Sequence, residues 1–277
     1  MIENINQLPI LPNSLALWGF GQMGFGIKGP DAIAYIDLCL SDYVGEQLGA
    51  WWSRAYPPPV QPEQITNADY YFISHEHWDH LDPATVGKVA AASPQARFIT
   101  NGWCREILQT MGIAAERILI PPAGTRTQID STSLYVTVVP SAHYDLQFDP
   151  DKGHRWIGFC IEWNGVCLYH AGDTIIYPGY NDALRQLPPI DIAILPVNGR
   201  DYYRETDGGA IGNLLPAEAA HLARAHGWDI LIPGHNDLYA NNAIADSEIV
   251  AALTRYAPQQ KYKLMKPTEC YYYVKQG

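Results

Sequence analysis

Ile73-Ser74-His75-Glu76-His77-Trp78-Asp79-His80-Leu81-Asp82 packs three imidazoles and a carboxylate into six positions, directly after the apolar run Tyr70-Tyr71-Phe72-Ile73. That run reads as a buried strand, so the polar residues fall on a loop at its C-terminal end. Asp82 suits the N-cap of a following helix and Pro83 its first position, with Ala84 to Ala91 carrying the helix onward. The loop is thereby pinned at both ends. Histidines at alternate positions of an extended segment point the same way, so His75 and His77 can grip one cation while Asp79 and His80 turn towards a second.

The same arrangement, a polar residue just past an apolar strand, recurs along the chain. Leu134 to Val139 reads as a strand that ends at Pro140-Ser141-Ala142-His143. Ile157 to Trp163 and Val166 to His170 flank Asn164-Gly165, a strong hairpin signal, and the second of them delivers Ala171-Gly172-Asp173. Ile190 to Leu195 feeds a polar loop from Pro196 to Asp201. Pro216 to His226 reads as a helix, and Ile230-Leu231-Ile232 leads into Pro233-Gly234-His235. His75, His77, Asp79, His80, His143, Asp173 and His235 thus form a set of strand-terminal groups with the residue types a dinuclear metal site uses.

The N-terminal third predicts a meander of strands over Leu15–Trp18, Phe25–Lys28 and Ala32–Asp37. Gly19-Phe20-Gly21-Gln22-Met23-Gly24 matches a dinucleotide-binding pattern formally, but the glycines and Pro30 that follow forbid the helix that pattern requires, so it reads as a glycine-rich hairpin. Trp51, Trp52 and Pro57-Pro58-Pro59 form a stiff loop that either lines a pocket mouth or pads a core edge. Strands at Arg97–Thr100 and Arg117–Ile120 flank a helix around Glu106–Leu108 that Gly112 stops. The expected fold is α/β: an αββα four-layer sandwich, two sheets faced by helices on both outer sides, with the strand ends gathered along one edge.

At 277 residues and 47% hydrophobic content the chain can bury a large core, and residues 1–277 are expected to form a single domain. A formal net charge of -11 leaves no electrostatic footprint for nucleic acid or an anionic membrane surface, and favours a small-molecule substrate. Five cysteines without a Cys-x-x-Cys pair indicate neither a disulfide framework nor a zinc ribbon. With no basic-apolar leader and no long apolar run, the expectation is a soluble, cytoplasmic protein; a homo-oligomer is compatible with the sequence.

The run from His75 to His80 resembles the His-x-His-x-Asp-His signature of the metallo-β-lactamase superfamily of binuclear hydrolases. Leu168 to Asp173, the strand around Ile190 to Ala193, and Ile232 to Asp237 resemble the branch containing the L-ascorbate-6-phosphate lactonases. The likeness runs from about Leu15 to Tyr239. It departs from the lactonases proper at His143, where they carry an aspartate, and in its shorter chain. The resemblance implies that His75, His77 and His143 hold one divalent ion, that Asp79, His80 and His235 hold another, and that Asp173 bridges them. Zinc or manganese suits these nitrogen and oxygen ligands, and iron is also compatible.

The implied chemistry is hydrolysis by water activated between the two ions, opening a lactone such as that of a sugar phosphate. Asp79 and Asp173 are the candidate catalytic carboxylates. A small-molecule phosphodiesterase of the same fold is the first rival, and a non-catalytic metal-binding or ligand-sensing module the second. The loop that carries Asn198, Arg200 and Arg204, together with Asn213, is the candidate substrate-binding segment, with surface ion pairs to Asp201, Glu205 or Asp207 as the alternative for the arginines. His170, three residues before Asp173, is expected behind the ligands, orienting one of them. His221 and His226, on a helix without partners, read as packing or solvated residues, and His154 has no assigned role.

Overall fold

The computed structural model describes residues 1–206 and 212–276. Two seven-stranded sheets dominate it. In the first, the spatial order is Cys270–Val274, Ser14–Gly21, Gly24–Lys28, Ile33–Ile36, Tyr70–Phe72, Arg97–Ile99 and Ile118–Leu119. In the second it is Lys261–Tyr262, Ile230–Gly234, Ile192–Pro196, Val166–His170, Trp156–Trp163, Tyr135–Ser141 and Thr127–Gln128. Each sheet is antiparallel along one part and parallel along the other. The parallel strands Tyr70–Phe72 in the first sheet, and Val166–His170, Ile192–Pro196 and Ile230–Gly234 in the second, lead directly into loops bearing the polar residues singled out above.

Alternation along the strands creates the layers. Leu15, Leu17, Phe25 and Ile27 bury one face against Val136, Val138, Phe159 and Ile161 of the opposite sheet. Ala16, Trp18 and Tyr35 point outward, into a cluster with Val86 and Val89 of the helix Pro83–Ala92 and with Leu108 of Gly102–Thr110. On the other side, Tyr169, Ala193 and Leu231 pack under Ala219, Leu222 and Ala223 of the helix Pro216–His226 and under Ile249 and Leu253 of Asp246–Tyr256. Helix, sheet, sheet, helix is the αββα order expected from the sequence.

Local signals worked where the chemistry is local. Asn164 and Gly165 both take positive φ (51° and 79°), as the two-residue hairpin turn demands. The hairpin at Gly21–Gly24 forms in place of a cofactor loop. Boundaries differ at several strands. The strand that begins at Tyr135 continues through Pro140 to Ser141; beside the proline, the Ile157 N–H donates to Ser74 O at 3.3 Å. The segment at Arg117 is the end of a 3-10 turn, Ala115–Arg117, and only Ile118–Leu119 pair as a strand. The helix Asp246–Tyr256 and the C-terminal strand, which pairs Val274 opposite Ser14, add elements that no strong local signal announced. All five cysteines are free thiols. No helix among the described residues is long and apolar enough to cross a membrane.

Candidate metal centre

The loop after Tyr70–Phe72 owes its shape to bonds at both ends. Ile73 N donates to Ile99 O at 3.0 Å and extends the ladder. Beyond it, His80 N and Leu81 N both donate to His77 O, at 2.9 and 2.7 Å, which closes a tight turn. Asp82 then caps the next helix by accepting from Ala84 N and Thr85 N, at 3.1 and 3.3 Å, as its sequence position predicted. Its carboxylate also takes the hydroxyls of Ser41 and Thr85, tying the loop to the segment after the third strand.

The four strand-end points converge. His75, His77, His143 and Asp173 offer ligand atoms that all lie within 4.8 Å of one another, and Asp79, His80 and His235 form a second group on the same criterion. Asp173 stands between the groups: Oδ2 is 3.1 Å from His143 Nε2 and 3.2 Å from His235 Nε2, and Oδ1 is 3.2 Å from His80 Nε2. Asp79 Oδ2 lies 3.3 Å from His235 Nε2. His75 and His80 are wholly buried, and His143, Asp173 and His235 nearly so.

Residues behind the ligands fix the rings. Ser74 Oγ and Ser74 N donate to the two oxygens of Asp37, at 2.6 and 2.8 Å. With the serine proton so used, His75 Nδ1 donates to Ser74 Oγ (2.9 Å), and His80 Nδ1 donates to Asp37 Oδ2 (2.9 Å). His143 Nδ1 donates to Gly212 O at 3.3 Å. In all three imidazoles the tethered Nδ1 leaves Nε2 facing the centre, the nitrogen that offers a lone pair whenever the ring is neutral. Gln22, at the tip of the first hairpin with φ 56°, sends Nε2 to Asp79 Oδ2 at 2.8 Å and within 3.2 Å of the His235 ring nitrogens. Its carbonyl accepts from His235 N at 2.9 Å, so the hairpin and the His235 turn hold each other.

These residues fit divalent cations. His75 Nε2, His80 Nε2, His143 Nε2 and Asp173 Oδ1 are buried without a hydrogen-bond partner among the described residues, although a carboxylate oxygen and imidazole nitrogens crowd within van der Waals range. Buried lone pairs facing one another in this way are costly unless a cation or proton lies between them. The charges divide accordingly. Burial, then the neighbouring imidazoles, hold His75 well below its ordinary value, and the same causes bring His77 to about 4. Burial also opposes charge on His80 and His235, but Asp173 and Asp79 outweigh it, lifting His80 well up and His235 to about 9. Burial pushes the carboxyls of Asp79 and Asp173 up, yet the facing His80 and His235 hold both below the usual carboxylate range.

A cavity of about 370 Å³ opens over the ligands. His77, Asp79, His143, Asp173 and His235 form its floor. Val44, Leu48, Trp52, Trp78 and Tyr239 are its apolar lining, and Glu76, Arg155 and Asn242 its polar lining beyond the ligands; Asn242 N donates to Tyr239 O at 2.9 Å, so the asparagine stands beside the apolar residues. Of the two readings of the loop before the motif strand, pocket wall is therefore right for Trp52, while Trp51 points to solvent at 69% exposure.

The expected substrate-binding residues sit elsewhere. Arg200 forms a two-pronged pair with Glu218 (2.7 and 2.8 Å) and donates to Asn213 O, so its guanidinium closes a loop onto the helix Pro216–His226. Arg204 pairs with Asp201 and donates to Asn198 O at 2.8 Å. Asp207 lies outside the described residues. Asn198 is buried, with Nδ2 donating to Asn242 Oδ1 at 2.9 Å, and Arg204 Nη1 reaches the same oxygen at 3.2 Å. Asn198 and Arg204 therefore hold Asn242, whose Nδ2 is left for the cavity it lines. Asn213 is buried with no partner for its side-chain amide among the described residues, and it does not line the cavity.

His170 touches no ligand side chain. Its Nε2 donates to Met23 O (3.0 Å) and its Nδ1 accepts from Gly172 N (3.2 Å), which positions the backbone just before Asp173 rather than a ligand ring. His226 stacks on Trp228 and bonds Asn181, and His221 packs on Tyr256. His154 lies against Phe148 in a short two-stranded ribbon.

Residues 39–236 match the family model described as the beta-lactamase superfamily domain. An uncharacterized protein of Mycobacterium tuberculosis is 32% identical over 201 residues, covering 70% of this chain and 50% of its own length. The chain thus spans about half the length of the first curated relatives it matches. The probable L-ascorbate-6-phosphate lactonase of Shigella boydii is 21% identical over 89% of this chain and 76% of its own. Among solved structures, a metallo hydrolase from Ignicoccus hospitalis superposes with a TM-score of 0.68 at 18% identity, over 95% of this chain and 100% of that one, a likeness of fold. With a matching family model over most of its length and a fold to suit, the chain belongs to the beta-lactamase superfamily.

Proposed function

We propose that the protein opens a small lactone at a centre of two divalent cations, zinc or manganese. His75, His77 and His143 would hold one, Asp79, His80 and His235 the other, with Asp173 shared. The observation that carries this reading is the position of Asp173, whose two oxygens lie 3.1 to 3.2 Å from histidines of both groups. When bound, such a pair supplies Lewis-acid polarisation of a carbonyl and a water whose pKa falls towards neutrality.

The chain's own residues do the rest. Asp79 lines the cavity floor, anchored by Gln22 Nε2, and is placed to take the proton of an attacking water. Asn242, its Oδ1 already occupied by Asn198 and Arg204, presents a donor to the ring-opened oxygen or the carbonyl. The buried Asp37–Ser74 pair keeps His75 and His80 from rotating as charge develops. The similarity to the Shigella lactonase supports a lactone over other carbonyl substrates.

The test combines elemental analysis of gently purified protein with a hydrolysis screen of lactones and a generic phosphodiester, with added zinc or manganese. Lactone opening by protein carrying near two metals per chain is the expected result. Phosphodiester cleavage without lactone opening would transfer the assignment to a phosphodiesterase, and full metal loading with no hydrolysis of either would overturn it in favour of a binding role.

A further inference from the structure

The polar and apolar linings of the cavity differ in what they can receive. Arg155 is the arginine that lines it, and its charge is already matched: Nε donates to Glu76 Oε1 and Nη1 to Gln147 Oε1 at 3.1 Å. Its guanidinium also rests on the rings of Trp103 and Trp156, at 5.4 and 4.9 Å. Arg200 and Arg204 are committed to Glu218 and Asp201, away from the cavity. A phosphoryl group entering here would meet no uncommitted side-chain cation among the described residues, and it would lie beside Glu76 and Asp79.

Five of the lining residues are large or apolar: Val44, Leu48, Trp52, Trp78 and Tyr239. Val44 and Tyr239 are buried, and Trp52 packs edge-on to Tyr239 at 5.6 Å. Trp78, inside the metal-binding loop itself, stands edge-on to Tyr43 at 5.3 Å and is 38% exposed. Leu48 at the rim is 54% exposed. Large apolar side chains left open to water beside a reaction centre mark a surface that gains by being covered.

Resting on the hydrolase reading above, we infer that the substrate is an uncharged lactone bearing an aliphatic or aromatic substituent, which lies along the wall of Leu48, Trp52 and Trp78 while the ring carbonyl faces the ligands. Asn242, beside Tyr239, then meets the ester oxygens. A phosphorylated sugar lactone is the poorer fit.

The experiment uses metal-loaded protein and the series γ-butyrolactone, γ-octalactone and γ-dodecalactone, with a phosphorylated sugar lactone beside it. Binding is followed by quenching of tryptophan fluorescence and turnover by kcat/KM. Affinity and kcat/KM are expected to rise by about threefold per methylene that reaches the wall, carried by KM. Trp52→Ala is expected to flatten that rise, and Leu48→Gln, at an exposed rim position that folding tolerates, to weaken it at the longest chain. Rising affinity without turnover would uphold the apolar wall and overturn the lactonase reading. Equal affinity along the series, tighter binding of the phosphorylated lactone, or no binding of any member would overturn the inference and leave the hydrolase assignment standing on its own test.

Discussion

The two groups of ligands both draw on histidine and aspartate, but in the absence of metal their surroundings push the imidazoles in opposite directions. In the first, His75 and His77 are pushed towards the neutral form by burial and by neighbouring imidazoles, so their lone pairs stand ready. In the second, Asp79 and Asp173 outweigh burial and keep protons on His80 and His235. A cation can enter the first group without displacing protons from those two histidines, whereas the second must release them. Asp173 belongs to both, which makes filling one group a condition that alters the other.

The largest effect that would break this comparison comes from Asp173 itself. Asp173→Ala is expected to lower hydrolysis by at least on the order of 10³-fold and to leave fewer metals per chain by elemental analysis, because both groups lose a shared oxygen. Next comes Asp37→Ala. It frees the Nδ1 side of His80 directly and that of His75 through Ser74, so metal affinity measured by chelator competition should fall by about 10–100-fold, with the weaker-held ion affected most. Gln22→Ala removes one donor to Asp79 and should weaken only the second group, by roughly tenfold in the same assay. Equal weakening of both ions by this variant would erase the distinction between the groups.

The pH dependence of the metal-free protein is a further consequence. His80 and His235 have raised values in the fold, so their stabilising contribution is full below the unfolded value near 6.5 and is lost as pH rises through about 9 for His235. His75 and His77 are depressed, so stability from them falls as pH drops from about 6.5 towards 4. Thermal unfolding of the metal-free protein should therefore peak near pH 6 to 7 and decline on both sides, and saturating metal should flatten the alkaline limb. The smallest expected change is that of Arg204→Ala, a rise of a few-fold in KM through loss of its bond to Asn242, with kcat little altered.

How far the sequence discloses this centre depends on the range of the interaction involved. His75 to His80 are legible because they are contiguous and follow an apolar strand. His143, Asp173 and His235 are legible because each ends a strand, and the sandwich brings those ends to one edge. Asp37 also ends a strand, yet its role rests on Ser74 and His80, 37 and 43 residues away, and no local pattern announces that pairing. A carboxylate at a strand's C-terminal end is the signal the sequence offers. Gln22 is hidden in a glycine-rich hairpin whose turn chemistry explains the local sequence without any function.

The arginines show how far a polar side chain's partner can lie from its own segment. Arg200 and Arg204 look free in a polar loop, but Glu218, 18 residues beyond Arg200 and in the first turn of a helix, claims the first, and Asp201 with the Asn198 carbonyl claims the second. Arg155 and Asn242, which do line the cavity, lie in segments with no motif at all. A polar side chain's partner is set by tertiary structure, whereas a ligand cluster writes itself into spacing.

The most direct test of two cations sharing Asp173 is a calorimetric zinc titration of the metal-free protein at neutral pH, run in two buffers of different ionisation heat, for the native chain and Asp173→Ala. The account predicts two equivalents in the native chain, with the buffer-dependent heat of proton release concentrated in the second, and at most one well-bound equivalent in the variant. A single equivalent in the native chain, or two undiminished equivalents in the variant, would contradict it.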